Sequence, residues 1–325
     1  MPNTRKPRSG SLQFWPRVRS QRVSARIRTH HENGEVGLEG FVGYKAGMTH
    51  ILGVETGKTK KGLEVAVPVT IIECPPIKIA SIRLYSKNGP KIELTKELLL
   101  SKDKQLSRKL KLPKKDLTKE LEKINPEEFS EVRVILFTQP NLTSIGKKTP
   151  ELVEMSVIGN SIQEKIEFVK NNLNKDLLLE SVFKEGDYTD LKSITKGKGF
   201  QGPVKRFGIT IRQRKSEKAI RNPGSLGPWC GQGHIMWRVA HAGKMGHHQR
   251  TEYNKQIIAL KEPLDVTHKG GMPGYGNPKN KVILIKGSVG GPKKQLIVIQ
   301  KASRIKKPKP QPTVEKISLE EKQGN

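Results

Sequence analysis

The chain has 325 residues, 34% of them hydrophobic and 5% aromatic, and a formal net charge of +30 from 61 Lys and Arg against 31 Asp and Glu. No run approaches the ~18–20 apolar residues of a bilayer span, and the basic N-terminus has no apolar run behind it, so membrane and secretory classes are set aside. At roughly 150 residues per domain the length predicts two domains, or one with long extensions.

So large a positive charge would destabilise a compact state by self-repulsion, and it points to a polyanionic partner. Its distribution narrows the choice. Residues 1–31 carry Arg5, Lys6, Arg8, Arg17, Arg19, Arg22, Arg26 and Arg28 and no acid. This basic extension, residues 1–35, interleaves guanidinium groups with Phe14 and Trp15. Arg matches phosphate bidentately and stacks on bases, so the pattern favours RNA.

Residues 36–94 follow, with the β-branched runs Val65–Glu73 and Ile77–Tyr85 predicted as strands. The block 95–190 balances seventeen basic against seventeen acidic residues. Its first part, TKELLLSKDKQLSRKLKLPKKDLTKELEK at 95–123, is predicted helical, split by Pro113. Val132–Thr138 reads as a buried strand. Ser161 and Glu164 have capping-box spacing, and Ile162, Ile166, Val169 and Leu173 follow at helical intervals.

Residues 191–255 are again basic, fourteen Lys or Arg against Glu217 and Glu252, and are rich in glycine. Glycines allow close backbone approach, and a segment this polar buries too little to order itself. A long loop ordered by RNA is the natural reading. Candidate phosphate contacts are Lys196, Lys198, Lys205, Arg206, Arg212, Arg214, Lys215, Lys218, Arg221, Arg238 and Arg250, with His247 and His248 on the return. Trp229 and Trp237 are candidates for stacking on bases, with packing inside the loop as the alternative. Residues 256–301 return to short strands, Gln256–Leu260, Val282–Ile285 and Gln295–Gln300. The tail 302–325 lacks apolar periodicity and is expected to be disordered or extended.

Together these predict a mainly β fold with an α+β insertion. The parts are a β-barrel core from 36–94 and 256–301, an inserted α/β subdomain over 95–190, the basic arm and the RNA-threading loop.

Enzyme and cofactor motifs fail on inspection. Gly197-Lys-Gly199-Phe-Gln-Gly202 has dinucleotide-type glycine spacing but continues into Pro203 and basic residues, with no acid at the required offset. Gly287-Ser-Val-Gly-Gly-Pro-Lys-Lys lacks the second glycine and the hydroxyl residue of a phosphate loop. Cys74 and Cys230 have no metal-type spacing and fit a reducing compartment. The adjacent His pairs diverge and have no ligand cluster beside them. No catalytic residues, metal, cofactor or small-molecule substrate are expected. The remaining alternatives are an RNA-modifying enzyme, which would need Glu217 and Glu252 as its acids, and a free nucleic-acid chaperone.

Several motifs then carry a resemblance: KPRSGSLQFWPR, GFVGYKAGMTHI, TIIECPPIKI, TKGKGFQGPVKRFG, PGSLGPWCGQGHIMWRVAHAGKMGHHQRT and KGSVGGPKKQLIVI, spread over nearly the whole chain. The sequence resembles the universal large ribosomal subunit protein three family in its archaeal and eukaryotic form. The resemblance implies a cytoplasmic, ribosome-bound structural protein, partnered by large-subunit ribosomal RNA and neighbouring ribosomal proteins. It also implies a loop tip near the peptidyl transferase centre, with Trp229 as the tip and His234 beside it, and roles in assembly and translation. At the position where eukaryotic members can carry a methylated histidine this chain has Glu217, so no modification is expected there. One more residue than the family pattern separates Trp229 from His234.

Overall fold

In the computed structural model, which describes residues 7–31, 34–56, 62–114, 117–216, 218–227, 233–305 and 310–320, the β-branched runs fold as strands. The first strands are β1 Gly37–Leu38, β2 Gly40–Val54, β3 Glu64–Glu73, β4 Ile77–Asn88 and β5 Lys91–Leu99. Then come α1 Thr118–Glu122, β6 Glu131–Thr138, β7 Leu152–Ile158, α2 Ile162–Asn171 and β8 Tyr188–Ile194. The basic segment contains β9 Phe200–Gln201, α3 Pro203–Phe207 and β10 Gly243–Lys244. The chain finishes with β11 Gln249–Lys261, α4 Pro263–Val266, β12 Val282–Lys286, β13 Leu296–Lys301 and β14 Thr313–Ile317. Two compact units result: Met1–Arg22 with Ile194–Gln249, and Val23–Ser193 with Arg250–Asn325. No helix among the described residues is long and apolar enough to cross a membrane.

The larger unit holds two antiparallel sheets. One has the order β13-β8-β11-β12-β3-β2-β14, and β13 also pairs with β2. The pairings therefore close on themselves through β13, β8, β11, β12, β3 and β2, with β14 attached outside the ring. Closure removes the exposed edges an open sheet would carry. The strands nearest this core are almost wholly apolar and buried: Val282–Ile285 and Leu296–Ile299 are each at most 1% exposed. The second sheet runs β1-β7-β6-β4-β5. Beside it α2 starts at the predicted capping box: the Ser161 hydroxyl accepts from Glu164 N at 3.2 Å, and the Glu164 carboxylate accepts from Ser161 N at 3.4 Å. Ile166 and Val169 are buried on its inner face.

Two expectations are corrected. Residues 95–99, predicted helical, continue β5, paired with β4 from Asn88↔Lys91 to Ser81↔Leu99. Gly89, at φ +62°, turns the chain back after β4, and the β4 ladder then overrides the helical propensity of the Leu, Glu and Lys that follow. The rest of that helix reduces to a short turn at Leu106–Arg108 and the five residues of α1. In the tail, expected to be disordered or extended, the disordered alternative is corrected for 313–317, where β14 pairs with β2 from Thr313↔Val54 to Ile317↔Ile51. Its order comes from main-chain hydrogen bonds to a strand edge, which need no apolar pattern.

Buried and half-buried carboxylates tie distant segments of this unit together. Glu73, fully buried, accepts from Lys279 N at 2.8 Å, Asn280 N at 3.0 Å, Asn280 Nδ2 at 2.8 Å and the Tyr275 hydroxyl. Glu39, also fully buried, lies 3.0 Å from His30 Nδ1 and accepts from His31 N at 2.7 Å and from Gln300 Nε2. On the second sheet, Glu154 accepts from Arg83 Nη1 at 3.1 Å and from the Tyr85 hydroxyl. Burial would raise the Glu154 carboxyl, but the Tyr85 hydroxyl and the guanidinium groups of Arg83 and Arg133 outweigh it and hold it below its ordinary value.

Candidate nucleic-acid interface

The smaller unit brings the N-terminal arm and the central loop together. Its root is a backbone ladder: Thr195 N donates to His248 O at 2.9 Å, and His247 N to Thr195 O at 3.1 Å. Further out, Lys198 N donates to Met245 O and Met245 N to Gly199 O, both at 2.9 Å. The ladder continues as the β9–β10 ribbon, which pairs Phe200 with Lys244 and Gln201 with Gly243. Next, α3 begins with Pro203 in its first turn, where a missing N–H costs nothing, and ends at Gly208 with φ +70°.

That short helix delivers Phe207 to the centre of the unit, 5% exposed. Trp15 of the arm stacks on it at a centroid distance of 5.4 Å, and Trp237 of the returning loop meets Trp15 edge-on at 5.6 Å. Arg17 lies 4.2 Å and Arg206 5.0 Å from the Phe207 ring centroid. A Cβ on Gly10, at φ +85°, would lie 2.7 Å from Phe207 Cδ1, so both the backbone conformation and the close approach require glycine there. The arm therefore folds against the loop through an aromatic cluster drawn from three separate stretches of sequence.

The cations divide into two groups. Some hold the fold. Arg17 Nη1 donates to Arg206 O, and Arg206 donates through Nε to Lys244 O and through Nη1 to His241 O, both at 3.0 Å. Arg8 donates to Arg238 O at 2.6 Å, and Arg212 to Pro223 O at 2.7 Å. Burial, then the neighbouring cation, lowers both Arg17 and Arg206 from the ordinary Arg value, although guanidinium stays protonated at neutral pH. His248 is buried, its Nδ1 donating to Val18 O at 2.7 Å. The others face outward: Arg19, Arg22, Lys196, Lys198, Lys205, Arg214, Lys215, Lys218, Arg221 and Arg238 are exposed, as is His234, while His247 is half-buried. Arg26 and Arg28, exposed, and Arg250, half-buried, belong to the larger unit. Arg5, Lys6 and Trp229 lie outside the described residues.

Trp237 remains 64% exposed despite its contact with Trp15, so most of the side chain is open. Sequence reading named neither Phe207 nor Phe200 as a site residue. The signal for Phe207 was its place before a helix-ending glycine in KRFG. Phe200 could have been flagged as an aromatic between Gly199 and Gln201 in an otherwise basic, apolar-poor run.

The electrostatics follow from composition. The unit contains seventeen Lys and Arg residues and a single carboxylate, Glu217. Its cations therefore cannot be neutralised from within. The larger unit contrasts with it, pairing Arg83 with Glu97, Arg133 with Glu131 and Lys281 with Glu180. No group of three or more metal-ligating side chains occurs among the described residues. Cys74 is buried and its thiol pushed well above the ordinary range by burial and then by Glu73, which makes it a poor nucleophile.

Comparison with known proteins gives a consistent picture. The family model described as Ribosomal protein L3 matches residues 1–322. The chain is similar to the large ribosomal subunit protein uL3 of Methanococcus vannielii, at 44% identity over 98% of both chains. It is also similar to the proteins of that name from Methanosphaera stadtmanae, at 40% over 98% of both, and Methanocaldococcus jannaschii, at 42% over 99% of both.

Proposed function

Because the chain belongs to the ribosomal protein L3 family, and is therefore a structural, non-enzymatic protein of the large ribosomal subunit in the cytoplasm, we propose that its smaller unit binds and organises large-subunit ribosomal RNA. The observation that carries this reading is the seventeen cations against one carboxylate. Such a surface is stable when phosphates supply the missing negative charge, and release of their counterions drives binding. Contacts of this type fix position and register without reading sequence.

In this account Arg17 and Arg206 act indirectly, by setting the backbone that carries the outward cations. The closed ring of strands serves as a β-barrel seated on the RNA surface. The charge-neutral second sheet faces solvent or neighbouring ribosomal proteins. The loop reaches toward the peptidyl transferase centre with Trp229 at its tip, so the protein contributes to subunit assembly and to translation by holding RNA conformation.

Replacing Arg214, Lys215 and Arg221 together with Ala tests the phosphate contacts. Binding of the full chain to large-subunit rRNA, measured across a salt series, should lose about 2–3 from its log–log slope, close to one per phosphate contact. An unchanged slope would show that these side chains do not touch phosphate.

A further inference from the structure

The β9–β10 ribbon carries a feature that neither the aromatic cluster nor a diffuse cationic surface explains. Phe200 is 74% exposed, more than Trp237 at 64% or Phe14 at 51%. Among the described residues it takes no part in the ring contacts that join Phe207, Trp15 and Trp237. It lines an open cleft of about 370 Å³ together with Arg19, Lys244 and His247, at the low end of the ~300–1,000 Å³ that holds small ligands.

Met245 and three glycines, Gly197, Gly199 and Gly246, complete the lining, and a Cβ on Gly246 would come within 2.1 Å of Lys196 O. His247 holds φ +54°, a left-handed conformation uncommon outside glycine and found preferentially at functional positions. An exposed aromatic ring, three glycines in the lining and two cations with no carboxylate among the lining residues form a recognisable combination. A flat apolar ring has a surface to stack on, and an attached phosphate has two cations in the same lining.

We propose that this cleft holds one unstacked nucleotide of the ribosomal RNA, its base on the Phe200 ring and its phosphate against Arg19 and Lys244. The inference rests on the rRNA-binding reading above and adds to it a defined nucleotide site. Charge decides the occupant: an apolar protein segment would leave Arg19 and Lys244 unneutralised, whereas a nucleotide satisfies both features.

The test uses the full chain and transcribed large-subunit rRNA. Phe200→Ala should weaken binding about tenfold, the effect of losing one stacked base, and leave the salt slope unchanged. Phe200→Trp should restore affinity, while Phe200→Leu, which keeps apolar bulk but no ring, should not. Lys244→Ala should weaken binding and lower the slope by about one. Thermal unfolding of the same variants should match the parent chain, because Phe200 is exposed. In isolated large subunits, ultraviolet cross-linking should join the segment containing Phe200 to a single nucleotide. Full affinity in Phe200→Ala or Phe200→Leu, or a cross-link from this segment to protein, would overturn the nucleotide site while leaving rRNA binding intact. Failure of the parent chain to bind rRNA at all would overturn both readings.

Discussion

Replacing Phe207 with Ala is expected to open the basic unit while leaving the larger unit folded. Phe207 carries the stacked Trp15, the overlying Arg17 and the close contact with Gly10. Truncating a buried Phe costs about 3–5 kcal/mol, and few other apolar contacts in this unit could compensate. Tryptic cleavage of the full chain within 194–249 should then accelerate about 100-fold or more, since opening by 1.4 kcal/mol is a factor of ten when cleavage follows the open population. Phe207→Leu should fall between the two. Parent-like cleavage in the Ala variant would show that the cluster does not hold the arm to the loop.

Glu73→Ala should produce the largest loss in the other unit. It would strand the two backbone N–H groups of Lys279 and Asn280, the Asn280 side-chain amide and the Tyr275 hydroxyl, all pointing at a buried site. Each buried donor left unsatisfied costs about 1–3 kcal/mol, so the loss should be visible as a lowered urea midpoint. Glu73→Gln should be far milder, about 1 kcal/mol. Its amide oxygen can keep the three N–H donors on Oε1, and its NH₂ can donate to Tyr275, whose hydroxyl turns to accept. Equal losses in the two variants would show that the negative charge itself, and not the number of hydrogen bonds, holds the 272–281 segment.

The strands that sequence reading found most directly are those buried on both faces. Val134–Phe137 within β6 and Val282–Ile285 are continuous apolar runs, and a run of that kind has few other places to go. The α2 start was equally readable, because the Ser161–Glu164 box is local chemistry. What failed was order that comes from a partner elsewhere in the chain. Residues 95–99 have helix-forming composition, and β4 alone makes them a strand. Likewise β14 has no apolar signature, since the edge of β2 supplies its hydrogen bonds.

The same distinction divides the interface. Segregation of charge into 1–31 and 191–255 was visible at once, and it identifies the unit that lacks internal counter-charge. Which cations face outward was not visible. Arg17 and Arg206 look like any other Arg in a basic run, and it is the placement of the carbonyls of Arg206, Lys244 and His241 that commits them to the fold. Phe207 escaped notice because its stacking partner, Trp15, lies about 190 residues before it, and Trp237, which meets Trp15, lies 30 after it.

The central claim is that this chain is held in the large subunit by RNA engaged with its arm and loop. Sedimentation of a native lysate through a density gradient, first at low and then at high salt, tests it most directly. The account predicts co-migration with large subunits that survives high salt, because a segment threaded into RNA is retained when a superficial ionic contact is screened away. Release at moderate salt, or migration as free protein, would contradict it.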